Sequence, residues 1–338
     1  MFEKTILITG GAGFIGSNFT VFFAGKYPMY RIINLDKLTY AGSLTNLTEC
    51  EGRANYLFVQ GDIADGQLLA ELFHRYRIGG VIHFAAESHV DNSISRPAAF
   101  IETNIVGTST LLEVARQFWM KGPKEVKPEF VESRFHHIST DEVYGALGET
   151  GCFQETTPYA PNSPYAASKA SSDLLVRAWF QTYGLNVTIS HSSNNYGPRQ
   201  HREKLIPKTI DCCLRNVPIP VYGNGGNVRD WLYVQDHCRA IDLIYHQGRR
   251  GEVYNIGGGN ERTNLEVVQM VCRIMDRLKP RPSGSYSELI TFVEDRPGHD
   301  WRYALDGRKM ENELSWRPEE KFENGLMKTV AVHCDRKT

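Results

Sequence analysis

Lys4-Thr5-Ile6-Leu7-Ile8-Thr9-Gly10-Gly11-Ala12-Gly13-Phe14-Ile15-Gly16 runs from an apolar stretch through a glycine-rich turn into a helical pattern. Residues 5–9 read as a buried strand. Gly10, Gly13 and Gly16 let the backbone turn tightly and approach a diphosphate, whose charge would meet the N-terminal end of the following helix. Such a turn alone is weak, because many matches are ordinary loops. Asp36 strengthens it, lying 20 residues beyond Gly16 at the end of a second apolar run. A carboxylate there accepts from the adenosine ribose hydroxyls and repels a 2′-phosphate, which favours NAD over NADP. The neighbouring Lys37 pulls weakly the other way, since a cation could tolerate phosphate. Asp62-Ile63, ending a third run, is placed for an adenine contact.

Outward from this turn, short apolar runs at 5–9, 31–35, 56–60, 80–84, 135–139 and 186–191 alternate with helical patterns. In 97–119, for example, Phe100, Ile101, Ile105, Leu111, Leu112, Ala115 and Phe118 recur at helical spacing. Strands separated by helices predict an α/β fold, a Rossmann-type doubly wound parallel sheet with ligands at the carboxyl ends of its strands. Past about residue 194, Gly and Pro become frequent and the alternation turns patchy, as a smaller C-terminal substrate-binding lobe would require. The expected division is 1–193 for the dinucleotide domain, with part of 226–258 returning to it, and 194–225 plus 259–338 for the second lobe. The segment 120–132, rich in Lys, Glu and Pro, reads as a solvated connection.

Composition excludes several classes. Lys+Arg 38 against Asp+Glu 39 leaves a formal net charge of -1 over 338 residues, so no global basic field favours nucleic acid or an anionic membrane. No apolar run approaches the roughly 20 residues of a membrane span, and no signal-peptide pattern is expected at the start. The seven cysteines form no Cys-x-x-Cys and no zinc spacing with histidine, which points to reduced core thiols in a cytoplasmic protein. His136-His137 alternate faces of a strand, so they cannot both serve one metal and none is expected.

Tyr165 and Lys169 stand four residues apart after Pro164, on one face of a helical stretch. An ammonium beside a phenol is expected to lower its pKa from about 10, letting the pair take a proton from a hydroxyl while hydride leaves for a nicotinamide. A surface ion pair would be the usual reading of that spacing, but a dinucleotide fold upstream and Ser139-Thr140 at a strand end change the weight. Asp141-Glu142 follow directly. Alcohol oxidation needs only a tyrosine, a lysine and a hydroxyl such as Thr140. Two adjacent carboxyls are surplus to it, though either alone could cap the next turn. Elimination of water employs both, one as base toward a carbon-bound proton and one as acid toward a leaving hydroxyl.

With these residues in place, the chain resembles the dTDP-glucose 4,6-dehydratases, extended short-chain dehydrogenase/reductases, over nearly its whole length. The resemblance rests on 9–18, Ala85-Ala86-Glu87-Ser88-His89-Val90-Asp91, Thr103-Asn104, 139–145, 163–173, Ser193-Asn194-Asn195-Tyr196-Gly197-Pro198, 203–207, Arg229-Asp230-Trp231-Leu232, 254–258 and Asp295-Arg296-Pro297-Gly298-His299-Asp300. It implies redox-neutral dehydration of dTDP-glucose to the 4-keto-6-deoxy sugar nucleotide, in rhamnose-type deoxysugar biosynthesis, with hydride lent to bound NAD from C4 and returned to C6. Tyr165 would be the base at the 4-hydroxyl, Lys169 its tuner, Thr140 the partner of the 4-oxygen, Glu142 the base at C5 and Asp141 the acid at C6. The cofactor shell would add Phe14, Ile15, Lys37, Thr39, Phe84, Ala85, Ala86, Ser88, Thr103 and Asn195. The sugar-nucleotide shell would be Ser88, Thr140, Asn194, Lys204, Leu205, Pro220, Val221, Tyr222, Arg229, Asn264, Asp295, Arg296, His299 and Tyr303, with Arg229 and Arg296 on the diphosphate. A homodimer packed through 97–119 and 163–183 is also implied. The chain departs from the family at Arg199-Gln200-His201-Arg202 and at Trp301, near positions that frame the substrate. Alternatives are a UDP- or GDP-linked hexose as substrate, or a nucleotide-sugar 4-epimerase.

Overall fold

The computed structural model describes residues 2–295 and 297–335. Seven strands form one all-parallel sheet: β1 (Lys4–Thr9), β2 (Tyr30–Asp36), β3 (Tyr56–Gln60), β4 (Gly80–His83), β5 (Arg134–Thr140), β6 (Val187–Ser192) and β7 (Val253–Ile256). Their order is β7-β6-β5-β4-β1-β2-β3. The chain thus winds one way from β1 to β3 and the other way from β4 onward. The crevice at this reversal lies at the carboxyl ends of β1 and β4, where ligands of such sheets bind.

Helices cover both faces, which is why the strands read as continuous apolar runs. Leu7, Ile33, Val81 and Phe135 point to the side covered by α2 (Gly66–Tyr76), α3 (Thr108–Trp119) and α4 (Pro164–Tyr183). Ile6, Ile8, Ile32 and Ile82 point to the side of α1 (Phe14–Lys26) and α6 (Val234–Gln247). A separate core forms where α5 (Leu205–Arg215), α7 (Asn264–Leu278) and α8 (Phe322–Asp335) pack together around Ile210, Val268, Val271 and Leu326. Beside it lie a three-stranded sheet of Asn194–Tyr196, Val228–Tyr233 and Glu261–Thr263, and a parallel pair of Ile219–Tyr222 with Ile290–Val293.

Two segments differ from their sequence reading. The stretch 97–119 is a helix with an inserted π-helical portion, Ile101–Gly107, ahead of α3. Gly107 permits this close packing, because a Cβ there would stand 2.7 Å from the Ile63 side chain. The connection 120–132 is more ordered than a solvated link: Met120–Gly122 pairs with Glu125–Val126, and Met120 and Phe130 are buried in the core. Among the described residues no helix is long and apolar enough to cross a membrane.

Candidate active site

The glycine turn does what its sequence requires. Gly10 has φ +72°, and a Cβ there would lie 2.5 Å from Ala85 N; one on Gly16 would lie 2.2 Å from Gly10 O. No side chain caps α1, whose first turn opens into a cavity of about 310 Å³. That cavity is lined by Gly10, Gly13, Phe14, Ile15, Gly16, Asp36, Lys37, Thr39, Asp62, Ile63, Phe84, Ala85, Ala86, Ser88, Thr103 and Asn195, together with Tyr165 and Lys169. Every residue assigned to the cofactor from sequence therefore converges on it. Asp36 is buried at its floor, oriented by Ala12 N–H at 2.9 Å and Leu38 N–H at 2.8 Å. A glycine-built approach, an uncapped helix end and a carboxylate at the second strand suit a dinucleotide with free ribose hydroxyls.

The catalytic group lines the same cavity. Ser163 caps α4, its hydroxyl accepting from Ala166 N–H at 3.1 Å, and so sets Tyr165 and Lys169 on the first turns. Thr140 ends β5 and caps the following turn, accepting from Glu142 N–H at 3.3 Å while donating to Asp141 Oδ1 at 3.2 Å. With the cap supplied by Thr140, both carboxyls remain on the cavity wall beside Tyr165. Asp141 is fully buried, and burial followed by the Glu142 charge raises its carboxyl well above the ordinary 3.8. The expected lowering of the tyrosine is not found. Burial and then Glu142 push the Tyr165 phenol up, and the Thr140 hydrogen bond only partly opposes them. Lys169 Nζ is committed to Ile138 O at 2.8 Å, with His137 Nε2 at 3.3 Å.

A second cavity, about 870 Å³, adjoins the first at Asn194, Asn195, Gln200, His201, Glu203 and Lys204. Of the proposed sugar-nucleotide residues, Leu205, Pro220, Val221, Tyr222, Arg229, Asn264 and His299 line it. Ser88 and Thr140 line the first cavity, and Asn194 and Lys204 line both. Two of the proposed residues line neither cavity. Tyr303 is buried, its ring 4.4 Å from the Arg229 guanidinium and its hydroxyl donating to Asp300, and it lies close enough to Glu142 for that charge to join burial in pushing its phenol up. Asp295 stands off the lining and holds His299 Nδ1 at 2.6 Å. Arg296 lies outside the described residues. Gln200, His201, Glu203, Trp231 and Lys208 line the second cavity without having been singled out for it. For Gln200 and His201 the signal was the departure at 199–202, near positions expected to frame the substrate, and Glu203 and Trp231 fall in stretches that carry the family resemblance. Arg199 itself turns outward to Asn18 Oδ1 at 2.8 Å and to Glu49.

Residues 7–329 match the GDP-mannose 4,6 dehydratase family. The chain is 54% identical over 340 residues to the dTDP-glucose 4,6-dehydratase of Neisseria gonorrhoeae, covering 99% of this chain and 97% of the relative. With that of Xanthomonas campestris pv. campestris (strain B100) it shares 53% over 335 residues, covering 99% and 94%. The crystal structure of a dTDP-glucose 4,6-dehydratase from Streptomyces venezuelae, solved with NAD bound, superposes with a TM-score of 0.89 at 45% identity, covering 98% of this chain and 97% of that one. The chain belongs to the GDP-mannose 4,6 dehydratase family and, within it, to the dTDP-glucose 4,6-dehydratases.

Proposed function

We propose that this chain dehydrates dTDP-glucose to dTDP-4-keto-6-deoxyglucose with no net redox change, using NAD held in the cavity between α1 and α4. One observation carries the reading: two adjacent carboxyls, the buried Asp141 and Glu142, stand on the same cavity wall as Tyr165 and Lys169, and burial beside Glu142 raises the Asp141 carboxyl well above its ordinary range. Oxidation or epimerisation at C4 has no use for two carboxyls there.

NAD, when bound, supplies a positively charged nicotinamide that takes hydride from C4 and gives it back to C6. Thr140 Oγ1 holds the 4-oxygen and Tyr165 Oη, as phenolate, takes its proton; against burial and Glu142 that form draws on the Thr140 hydrogen bond and on the positive charge of the bound cofactor. Glu142 removes the C5 proton, made acidic by the new carbonyl. Asp141 donates its proton to the C6 hydroxyl, which leaves as water. Asp36 and the first turn of α1 bind the adenosine and diphosphate of the cofactor, and Arg229, Lys204 and Asn264 bind the nucleotide sugar in the larger cavity. In this reading residues 1–193, with part of 226–258 returning to them, serve chiefly the cofactor, and 194–225 with 259–338, joined by Arg229, the sugar nucleotide.

The protein acts as a homodimer through 97–119 and α4. Ile101 is 53% exposed, Val106 44% and Leu174 59%, an apolar strip that a second copy would cover. The cytoplasm suits its cysteines, all free, of which Cys50, Cys212, Cys213, Cys238 and Cys272 are buried. Incubation with dTDP-, UDP- and GDP-linked glucose, reading product mass and absorbance at about 340 nm, tests the reading. Loss of one water from the dTDP sugar over many turnovers with only catalytic NAD is expected. Stoichiometric NADH, or preference for another nucleotide, would overturn it.

A further inference from the structure

Behind the catalytic wall runs a buried polar chain that the reaction as described leaves unused. Tyr165, Lys169 and Asp173 follow at four-residue intervals along α4 and so share one face. His137 enters beneath them from β5 and His191 from β6. His137 Nε2 lies 3.3 Å from Lys169 Nζ and 3.3 Å from Asp173 Oδ1. Asp173 Oδ2 accepts from Ser139 Oγ at 2.8 Å and stands 2.9 Å from His191 Nε2. All four of Lys169, His137, Asp173 and His191 are buried. An ionised carboxyl at such depth is costly unless donors surround it, so this cluster is retained against its own desolvation.

We propose that Asp173, acting through His137, is a positioning residue of the catalytic site: it keeps the Lys169 ammonium charged and aimed toward Tyr165 and the cofactor ribose. The inference rests on the dehydratase reading of Tyr165 and Lys169. Its physical basis is that Nε2 of His137 can present one proton or one lone pair, to Asp173 or to Lys169. The direction in which Lys169 points its N–H groups is therefore tied to the state of Asp173. The titratable and charged groups around Lys169 are His83 on β4, His137 on β5, His191 on β6, Asp141 and Glu142 on the turn after β5, and Tyr165 and Asp173 on α4. Burial lowers Lys169 to about 8, and the Asp173 charge is what opposes that fall. Asp173 can supply the charge: burial pushes its carboxyl up, but the hydrogen bonds of His137 and His191 hold it well below the usual range.

The test is the pH dependence of C4 oxidation in a single turnover of dTDP-glucose, followed as NADH. Asp173→Asn keeps the shape and removes the charge. The parent's alkaline limb is expected where Lys169, lowered by burial to about 8, loses its proton, and in Asp173→Asn it should move down by about one pH unit or more. His137→Gln should move it in the same direction, and the double variant no further than the larger single shift. Should Asp173→Asn fail to fold, His137→Gln, which leaves Ser139 and His191 on the carboxylate, carries the same expectation. A limb that stays in place, or a rate that falls equally at every pH, would mean a merely structural network and overturn the inference. A parent that forms no NADH at any pH would overturn the dehydratase reading instead.

Discussion

Lys37 Nζ lies 2.6 Å from Asp62 Oδ2, so the cation that follows Asp36 in sequence is answered at the end of β3 and not beside Asp36. The side-chain hydrogen bond raises Lys37 and keeps it charged. Asp36 faces the cavity with backbone N–H groups as its partners, and a 2′-phosphate would meet a carboxylate while the neighbouring Lys37 is paired with Asp62.

NAD should accordingly bind more tightly than NADP, and Asp36→Ala should narrow the difference. Asp62→Ala should also favour NADP, by freeing Lys37; a gain of about tenfold corresponds to roughly 1.4 kcal/mol. Titration calorimetry with both dinucleotides decides this. Equal affinity of the unmodified protein for the two would show that Lys37 reaches the phosphate despite Asp62.

The two carboxyls should fail in different ways. Glu142→Gln should slow exchange of the C5 proton with solvent deuterium by roughly 10²–10⁴-fold, the usual contribution of a general base, and leave a 4-keto sugar with enzyme-bound NADH. Asp141→Asn should permit that exchange but block loss of water, unless C6 carries fluoride, which leaves without a proton. A single-turnover run following NADH, deuterium at C5 and product mass separates the two roles. Parent-like C5 exchange in Glu142→Gln, or no benefit from fluoride in Asp141→Asn, would reverse the assignment.

Asp141 also makes stability depend on pH. Its carboxyl is raised in the folded state, so folding is favoured while both states are protonated and loses that advantage as pH climbs above the ordinary 3.8, where only the unfolded form ionises. Asp141→Asn should therefore melt at a higher temperature than the parent at neutral pH, and the gap should close toward about pH 4. Calorimetric melts at several pH values test the sign; a variant less stable than its parent at neutral pH would contradict it.

Light scattering at micromolar concentration should report twice the chain mass, 38.3 kDa. Leu174→Lys places a charge on the strip formed with Ile101 and Val106 and should shift the population toward single chains. A monomeric parent would show that the strip serves some other contact.

Most of the sheet was legible because strand and helix periods are local. The six strand segments read from apolar runs lie within one residue of β1 to β6, and the glycine turn depends only on backbone geometry over a few neighbouring residues. The π-helical stretch 101–107 carries no local signal in the apolar spacing, and the packing of its Gly107 on Ile63 joins residues far apart in the chain. A motif can name Tyr303 and Asp295, but their contacts with Arg229 and His299 depend on packing between distant parts of the chain.

The sequence by itself determined the order of elements, the dinucleotide turn, the carboxylate after β2 and the shared helix face of Tyr165 and Lys169, since spacing along the chain sets each of these. Tertiary structure decided the charges. Lys37 is paired with Asp62, Tyr165 is raised by its own burial and by Glu142, and His137 stands between Asp173 and Lys169. The reason is physical: desolvation and Coulomb interaction depend on which groups meet in space. At this site the partners come from strands whose sequence separation carries no sign of their contact.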